Sequence, residues 1–178
     1  MEQDSPLPYR QLTECPETFT ATTVAARMVD GLGFRYYWAT EGLREEDLNY
    51  KPNETARTSM ETIEHIYGLS NMILNAAKNV TNGSSSEKKL SFDEMRSKTL
   101  LILKEASDLL KKADPKEMEN MNIIFQRGDS KTEFPFWNLI NGPIEDAVWH
   151  VGQVVSFRRS SGNPFNGKVS VLTGKVRE

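Results

Sequence analysis

Apolar residues recur at a helical period in four stretches of the chain, separated by runs of polar and turn-forming residues. The first stretch runs from about Thr20 to Gly42, with Val24, Met28, Leu32, Ala39 and Leu43 near one flank and Phe34 and Trp38 four apart on another. Gly31 and Gly33 work against a helix there, since each costs about 1 kcal/mol relative to alanine in a helix interior. Pro52, in the polar connection "EEDLNYKPNETA", keeps that helix from running on. The second stretch opens at a capping box, Thr58 with Glu61 three residues on, in which each side chain satisfies an orphan backbone donor of the other, and it continues to about Lys78. "TNGSSSEKK" then reads as a flexible surface connection. A second capping box, Ser91 with Glu94, opens the third stretch, whose apolar stripe runs from Phe92 through Met95, Leu103 and Leu110 to Ala113 and stops at Asp114-Pro115.

In "MNIIFQRGDSKTEFPFWNLI" two apolar stretches flank Gly128-Asp129-Ser130, which predicts a short hairpin, and Pro135 in the second arm places that arm at an edge. The fourth helix is predicted to start near Pro143, a favoured first helical position, and to end near Ser161 before Gly162 and Pro164; a helical turn through Trp137 to Ile140 fits just ahead of it. A short strand fits the tail around Lys168 to Leu172. Four amphipathic helices bury their stripes most simply against one another. The expected fold is therefore all-α, a four-helix bundle with a short β-hairpin insertion before the last helix, formed as a single domain over residues 1–178.

Composition narrows the function classes. A charged fraction of 26% and a formal net charge of −3 give no strong field for nucleic acid or an anionic membrane. The basic residues near the end, Arg158, Arg159, Lys168, Lys175 and Arg177, read as a solvated helix end and tail, with no interleaved aromatics for stacking on single strands. Cys15 is the only cysteine, so an internal disulfide, a thiolate zinc cage and a redox pair are all excluded. Its acidic neighbours in "TECPETF" also make it a poor nucleophile. "MEQDSPLPYR" has acidic residues and two prolines where a secretory signal needs a basic start and an apolar run. A cytoplasmic protein without nucleic-acid or membrane partners is the expectation, acting on a small-molecule substrate, and nothing in the pattern excludes a homodimer.

Candidate chemistry lies on two helices. On a helical wheel of the last one, Ile144, Ala147, Val148, Val151, Val154 and Val155 share one sector, while Asp146, His150, Gln153 and Phe157 form a narrow stripe along its edge. Residues four apart on a helix are close enough for a carboxylate and an imidazole to converge on one ion. The other histidine, His65, borders the apolar sector of the second helix beside Leu69 and Met72. Were these helices to face each other, His65, Asp146 and His150 would supply a two-histidine, one-carboxylate set suited to zinc, nickel or ferrous iron, with positions left open for water or substrate. Gln153 would serve by hydrogen-bonding a ligand or a bound water. Spacing alone equally allows an ion pair of Asp146 with His150 at the bundle's edge and a His65 satisfied by a backbone carbonyl. Trp149 reads as packing, and Glu61, Glu64 and Tyr67 near His65 as surface or core.

With "YYWATEGLREEDLNYKP", "SMETIEHIYGL" and above all "WNLINGPIEDAVWHVGQVVSFRRSSGNP", the chain resembles the DinB-like, or YfiT-like, family of metalloenzymes over nearly its whole length. The resemblance implies a four-helix bundle with right-handed, up-down-down-up connections, and a divalent metal held by a histidine of the second helix and an H-x3-H pair of the last. By position His65 matches the first of these ligands and His150 the last, and the context from His150 to Gln153 is the strongest match. Where the family usually has the first histidine of H-x3-H, this chain has Asp146, which keeps a common zinc ligand and lowers the site's charge by one. The implied activity is metal-dependent S-transfer from a low-molecular-weight thiol, such as bacillithiol or mycothiol, to a small electrophile. Metal-assisted hydrolysis at the same site, and a non-catalytic small-ligand-binding or stress-associated module without metal, are the alternatives.

Overall fold

Threonine and serine caps set where three of the four long helices begin. The structure, a computed structural model, describes residues 7–83 and 89–178; residues 1–6 of the acidic start and 84–88 of the connection read as flexible lie outside the described residues. Thr20, Thr58 and Ser91 accept the backbone N–H three residues on, at 3.2, 3.1 and 3.3 Å, and open helices α1 (Ala21–Thr40), α3 (Ser59–Ala77) and α4 (Phe92–Lys112). A single turn, α2 (Glu45–Leu48), lies between the first two. After α3 come a two-residue strand β1 (Thr81–Asn82), then α4, a 3-10 turn (Pro115–Asn120) and the hairpin β2 (Ile123–Arg127) and β3 (Ser130–Phe134). The chain ends with α5 (Phe136–Leu139), a π turn (Ile140–Ile144), α6 (Glu145–Ser160) and the small pair β4 (Val169–Ser170) and β5 (Lys175–Val176).

The four long helices pack as a ring in which α1 and α3 each touch α4 and α6. The first and second long helices are thus diagonal, and α3 and α6 stand side by side, the arrangement the histidines require. Leu32, Ile63, Ile66, Ile73, Leu100, Leu103 and Leu110 are fully buried between them, each worth about 1.5–3 kcal/mol of transfer from water.

The predicted hairpin forms, antiparallel from Ile123 opposite Phe134 to Arg127 opposite Ser130, and turns through Gly128 at φ 57°. Strand β3 is an edge, as expected, but Pro135 falls just beyond it as the cap of α5. The sequence gives no hint of β1, which pairs parallel to β2 and is tied in by the Asn82 amide donating to the carbonyl of Ile124 at 3.1 Å. The last helix also starts differently. Pro143 sits inside the π turn instead of opening α6, and Gly142 there leaves helical geometry (φ −91°, ψ −106°). A proline has no N–H for a regular helical ladder, and the widened turn accommodates it.

Gly33 has a tertiary explanation. The ring of Tyr9 lies across it so closely that a Cβ would come within 2.5 Å of ring carbons. Tyr9 is buried at φ 73°, and its hydroxyl donates to Oδ1 of Asp30 at 3.0 Å, while Lys111 pairs with Oδ2 at 2.7 Å. Burial first, and then the charge of Asp30, hold the Tyr9 phenol well above its usual pKa, so it stays protonated and donating. Gly33→Ala is expected to lower stability by about 1–2 kcal/mol, overpacking outweighing the better helix propensity. In a Tyr9→Ala background the same change should become neutral or stabilising, and urea melts of the four proteins check the sign reversal.

One expectation about charge is corrected. Arg158 is not part of a solvated end: it is 4% exposed, and its Nη1 donates to the carbonyls of Trp38, Ala39 and Glu41 at 3.2, 3.0 and 3.0 Å. Arg159, Lys175 and Arg177 are exposed as expected. No described helix is long and apolar enough to cross a membrane.

Candidate metal centre

The break at Gly142 and Pro143 decides where α6 begins, and so places Asp146 in its first turn with His150 one turn further on. Ala147, Val151 and Val154 are buried on the adjacent face and hold the helix in the bundle. On α3 the buried Ile66 and Leu69 do the same beside His65. Each helix therefore keeps its polar stripe at the seam where α3 and α6 meet, half-buried.

Across that seam the Asp146 carboxylate stands between the two imidazoles. Its Oδ2 lies 3.2 Å from Nε2 of His65 and its Oδ1 lies 3.3 Å from Nε2 of His150. The rings of His65 and His150 meet edge to face, with centroids 4.6 Å apart and planes at 88°. One donor atom from each of the three residues lies within 4.8 Å of the other two. Two ligand atoms each about 2.0–2.1 Å from a tetrahedral zinc ion are about 3.3 Å apart, the spacing of both carboxylate–imidazole pairs here. Three ligands leave at least one coordination position to water or substrate, and the His65 and Asp146 side chains, at 34% and 33% exposure, leave it reachable.

Gln153 fixes the direction of one ring. Its Oε1 lies 2.9 Å from Nδ1 of His150, where a carbonyl oxygen accepts the ring N–H. In the neutral ring the proton is then on Nδ1, and Nε2 presents a lone pair to a carboxylate oxygen. With that tautomer, two acceptors face each other at 3.3 Å, a contact that a proton on Nε2 or a cation between them would satisfy. The donor set fits a divalent cation.

All three predicted ligands thus come together, and Gln153 is adjacent, bonded to the ring of His150. Phe157, the last residue of the stripe, packs against Tyr50 with centroids 5.9 Å apart. Trp149, read as packing, is instead 72% exposed, with its indole plane within 18° of the His150 ring at 6.3 Å. Glu61 is occupied at the start of α3: the backbone N–H of Thr58 donates to it at 2.7 Å and, as the largest cause, holds its carboxyl below the usual range. Glu64 and Tyr67 line a cleft between α3 and the sheet, which no sequence pattern signals. Cys15 is exposed.

No family model matches the chain, and no curated protein matches it. Among solved structures it is similar to the crystal structure of a DinB-like protein, YjoA, from Bacillus subtilis, with a TM-score of 0.52 and 14% sequence identity over 76% of this chain and 92% of that one. At that identity the likeness establishes the fold, which is DinB-like over most of both chains.

Proposed function

We propose that this chain, built on the DinB-like fold, binds one divalent metal ion through His65, Asp146 and His150 and transfers a small thiol onto electrophilic molecules. The observation that carries the metal reading is the convergence of one ligand atom each from His65, Asp146 and His150 to within 4.8 Å of one another, with Nδ1 of His150 engaged by Oε1 of Gln153 on its other side. When bound, the metal lowers the pKa of a thiol so that the thiolate is present at neutral pH. The protein's own residues do the rest. His65 and His150 bring two neutral imidazoles from non-adjacent stretches of chain, and Asp146 supplies one negative charge that partly offsets the ion. Gln153 holds the His150 ring in the tautomer that leaves Nε2 free to ligate, the supporting role that ligand imidazoles usually require. The exposed indole of Trp149 offers the rim an apolar face for an electrophile.

Zinc, nickel and ferrous iron all suit this donor set. The test is elemental analysis of protein purified without a histidine tag, followed by assay of chelator-treated and reloaded protein with bacillithiol and monobromobimane. Expected are about one ion per chain and conjugation that stops on chelation and returns on reloading. Metal at about 100 times its Kd should add about 2.7 kcal/mol of stability, which is about 5–10 °C in Tm for a domain of this size. Absence of both metal uptake and thermal shift would remove the reading; stoichiometric metal without turnover would remove the transferase and leave the metal site. Gln153→Ala is expected to weaken metal binding about 10–100-fold without changing the stability of the metal-free protein by more than about 1 kcal/mol, as titration against a fluorescent chelator and urea melts check.

The competing reading is a small-ligand-binding module without metal. The 3.2 and 3.3 Å contacts also suit hydrogen bonds from both Nε2 atoms to Asp146, provided the Gln153 amide presents its NH2 to Nδ1. Histidine 15N shifts in metal-free protein separate the two tautomers.

A further inference from the structure

A cavity of about 420 Å³ lies where α1, α6 and the tail meet, walled by Phe34 and Trp38 of α1, Val151 and Val155 of α6, and Phe165 and Val169 of the tail. Small-molecule sites span about 300–1,000 Å³ and are mostly apolar, with a few polar groups that fix orientation. Counted at about 100° per residue, Val148, Gly152, Val155 and Arg159 of this lining stand about 140–180° around α6 from His150. The cavity therefore occupies the face of α6 opposite the proposed metal ligands.

Two mid-helix glycines, poor helix formers, take on a role at this cavity. A Cβ built on Gly152, which lines it, meets nothing within 4 Å, so no packing neighbour requires a glycine there, and the room a larger side chain would fill adjoins the cavity. A Cβ on Gly31 would stand 3.2 Å from Nη1 of Arg35, which donates to the Gly31 carbonyl at 3.0 Å. With no side chain at Gly31, the Arg35 guanidinium folds back along α1 and is held there.

Charge decides what the cavity takes. The charged residues of its lining are Arg35 and Arg159, both cations, and no acidic or amide side chain joins them. Neither arginine forms an ion pair among the described residues: Arg35 commits Nη1 to its own helix, and the guanidinium of Arg159 has no partner among them. Trp38 adds ring surface and no donor, because its indole N–H already donates to the carbonyl of Arg10 at 3.1 Å. Apolar walls bordered by unpaired guanidinium groups match a molecule with a hydrocarbon body and one anionic end, and the planar fork of arginine fits the two oxygens of a carboxylate.

We infer that this cavity binds a small apolar carboxylate, its hydrocarbon part among Phe34, Trp38, Val155 and Phe165, its carboxylate at Arg159, and Arg35 adding a second positive charge. The site needs neither a metal ion nor any of His65, Asp146 and His150.

The probe is octanoate, titrated calorimetrically into metal-free protein, with octylamine as the control of equal chain length and opposite charge. Octanoate is expected to bind with a Kd below about 1 mM, and octylamine at least about tenfold more weakly. Arg159→Ala, at an exposed position in the last turn of α6, should raise the octanoate Kd about tenfold, the loss expected for one charge-assisted contact. Gly152→Leu should raise Tm and weaken octanoate about tenfold or more, because leucine is the better helix former and its side chain takes up cavity space. His150→Ala should leave the Kd unchanged, since that residue faces the other way. Absence of heat up to about 10 mM octanoate, octylamine binding as tightly as octanoate, or a Kd that Arg159→Ala and Gly152→Leu both leave unchanged overturns the inference. Loss of binding in His150→Ala does the same, because it places the carboxylate at the histidine seam. Metal uptake is read separately, so failure of the metal reading leaves this one standing.

Discussion

His150→Ala protein, stripped with chelator and then equilibrated with zinc, nickel or ferrous iron, is expected to retain no stoichiometric metal, with affinity down by well over about 100-fold. Loss of a supporting partner alone costs about 10–100-fold, and removing a ligand costs more because two donors remain where three met. His150 is the most buried of the three, its side chain 14% exposed, and it carries the contact to Gln153 as well as the approach to Asp146. Asp146→Asn sharpens the result. Asparagine keeps the shape and a carbonyl oxygen for a hydrogen bond from either imidazole, so a purely hydrogen-bonded cluster tolerates it. A metal centre does not, since the substitution removes the one anionic ligand. If Asp146→Asn and His150→Ala both take up metal like the parent, the ion sits elsewhere and the proposed site is a polar seam between helices. Direct measurement of bound metal after gel filtration decides between these outcomes.

The stripe of Asp146, His150 and Gln153 was legible because a helix repeats its faces regardless of what it packs against. His65 was legible on the flank of its own apolar sector for the same reason, and the four-helix reading follows from capping boxes and stripes that are local signals. The ring order of the helices is not local: α3 lies beside α6 through packing between stretches far apart in the chain. Other features depend on residues far along the chain. Gly33 looks like a defect in a helix until Tyr9 is found lying on it, 24 positions earlier. Strand β1 has two residues and no periodicity to detect, and exists because β2 offers it an edge. The π turn around Pro143 replaces a regular helix start, since that proline precedes Glu145 in a chain already helical from Phe136. Trp149 was read as packing by residue type, but the helix phase that faces His150 to the seam turns its neighbour outward. The cleft lined by Gly68 and Arg127 joins two segments about 60 residues apart and has no sequence signature.

Arg158→Met is expected to cost about 3–5 kcal/mol, enough to lower Tm by about 10 °C or more, although the residue contacts none of His65, Asp146 and His150. A helix leaves its last carbonyls without intrahelical donors, and here the guanidinium supplies them for α1 at Trp38, Ala39 and Glu41. It also donates to the carbonyl and side-chain oxygen of Asn163, at 2.8 and 3.2 Å. Methionine fills much of the volume and donates nothing, so several buried acceptors lose their partner at once. Asn163 continues the network to Asp47, which is fully buried and also accepts from Arg44 and Ser161. Hydrogen bonds from Arg44, more than any other cause, hold the Asp47 carboxyl well below the usual carboxylate range. A carboxyl with a depressed folded pKa contributes stability that is full above its unfolded value of about 3.9 and is lost as pH falls toward the folded one. Asp47→Asn should therefore destabilise the protein at pH 7 and flatten its loss of stability below about pH 4, whereas Arg158→Met, whose parent arginine does not titrate, should remain destabilising in urea melts at pH 7 and at pH 3 alike. Equal stability of Arg158→Met and the parent at pH 7 would mean that the carbonyls at the end of α1 find water instead, and that the seam between α1 and α6 is held by apolar packing alone.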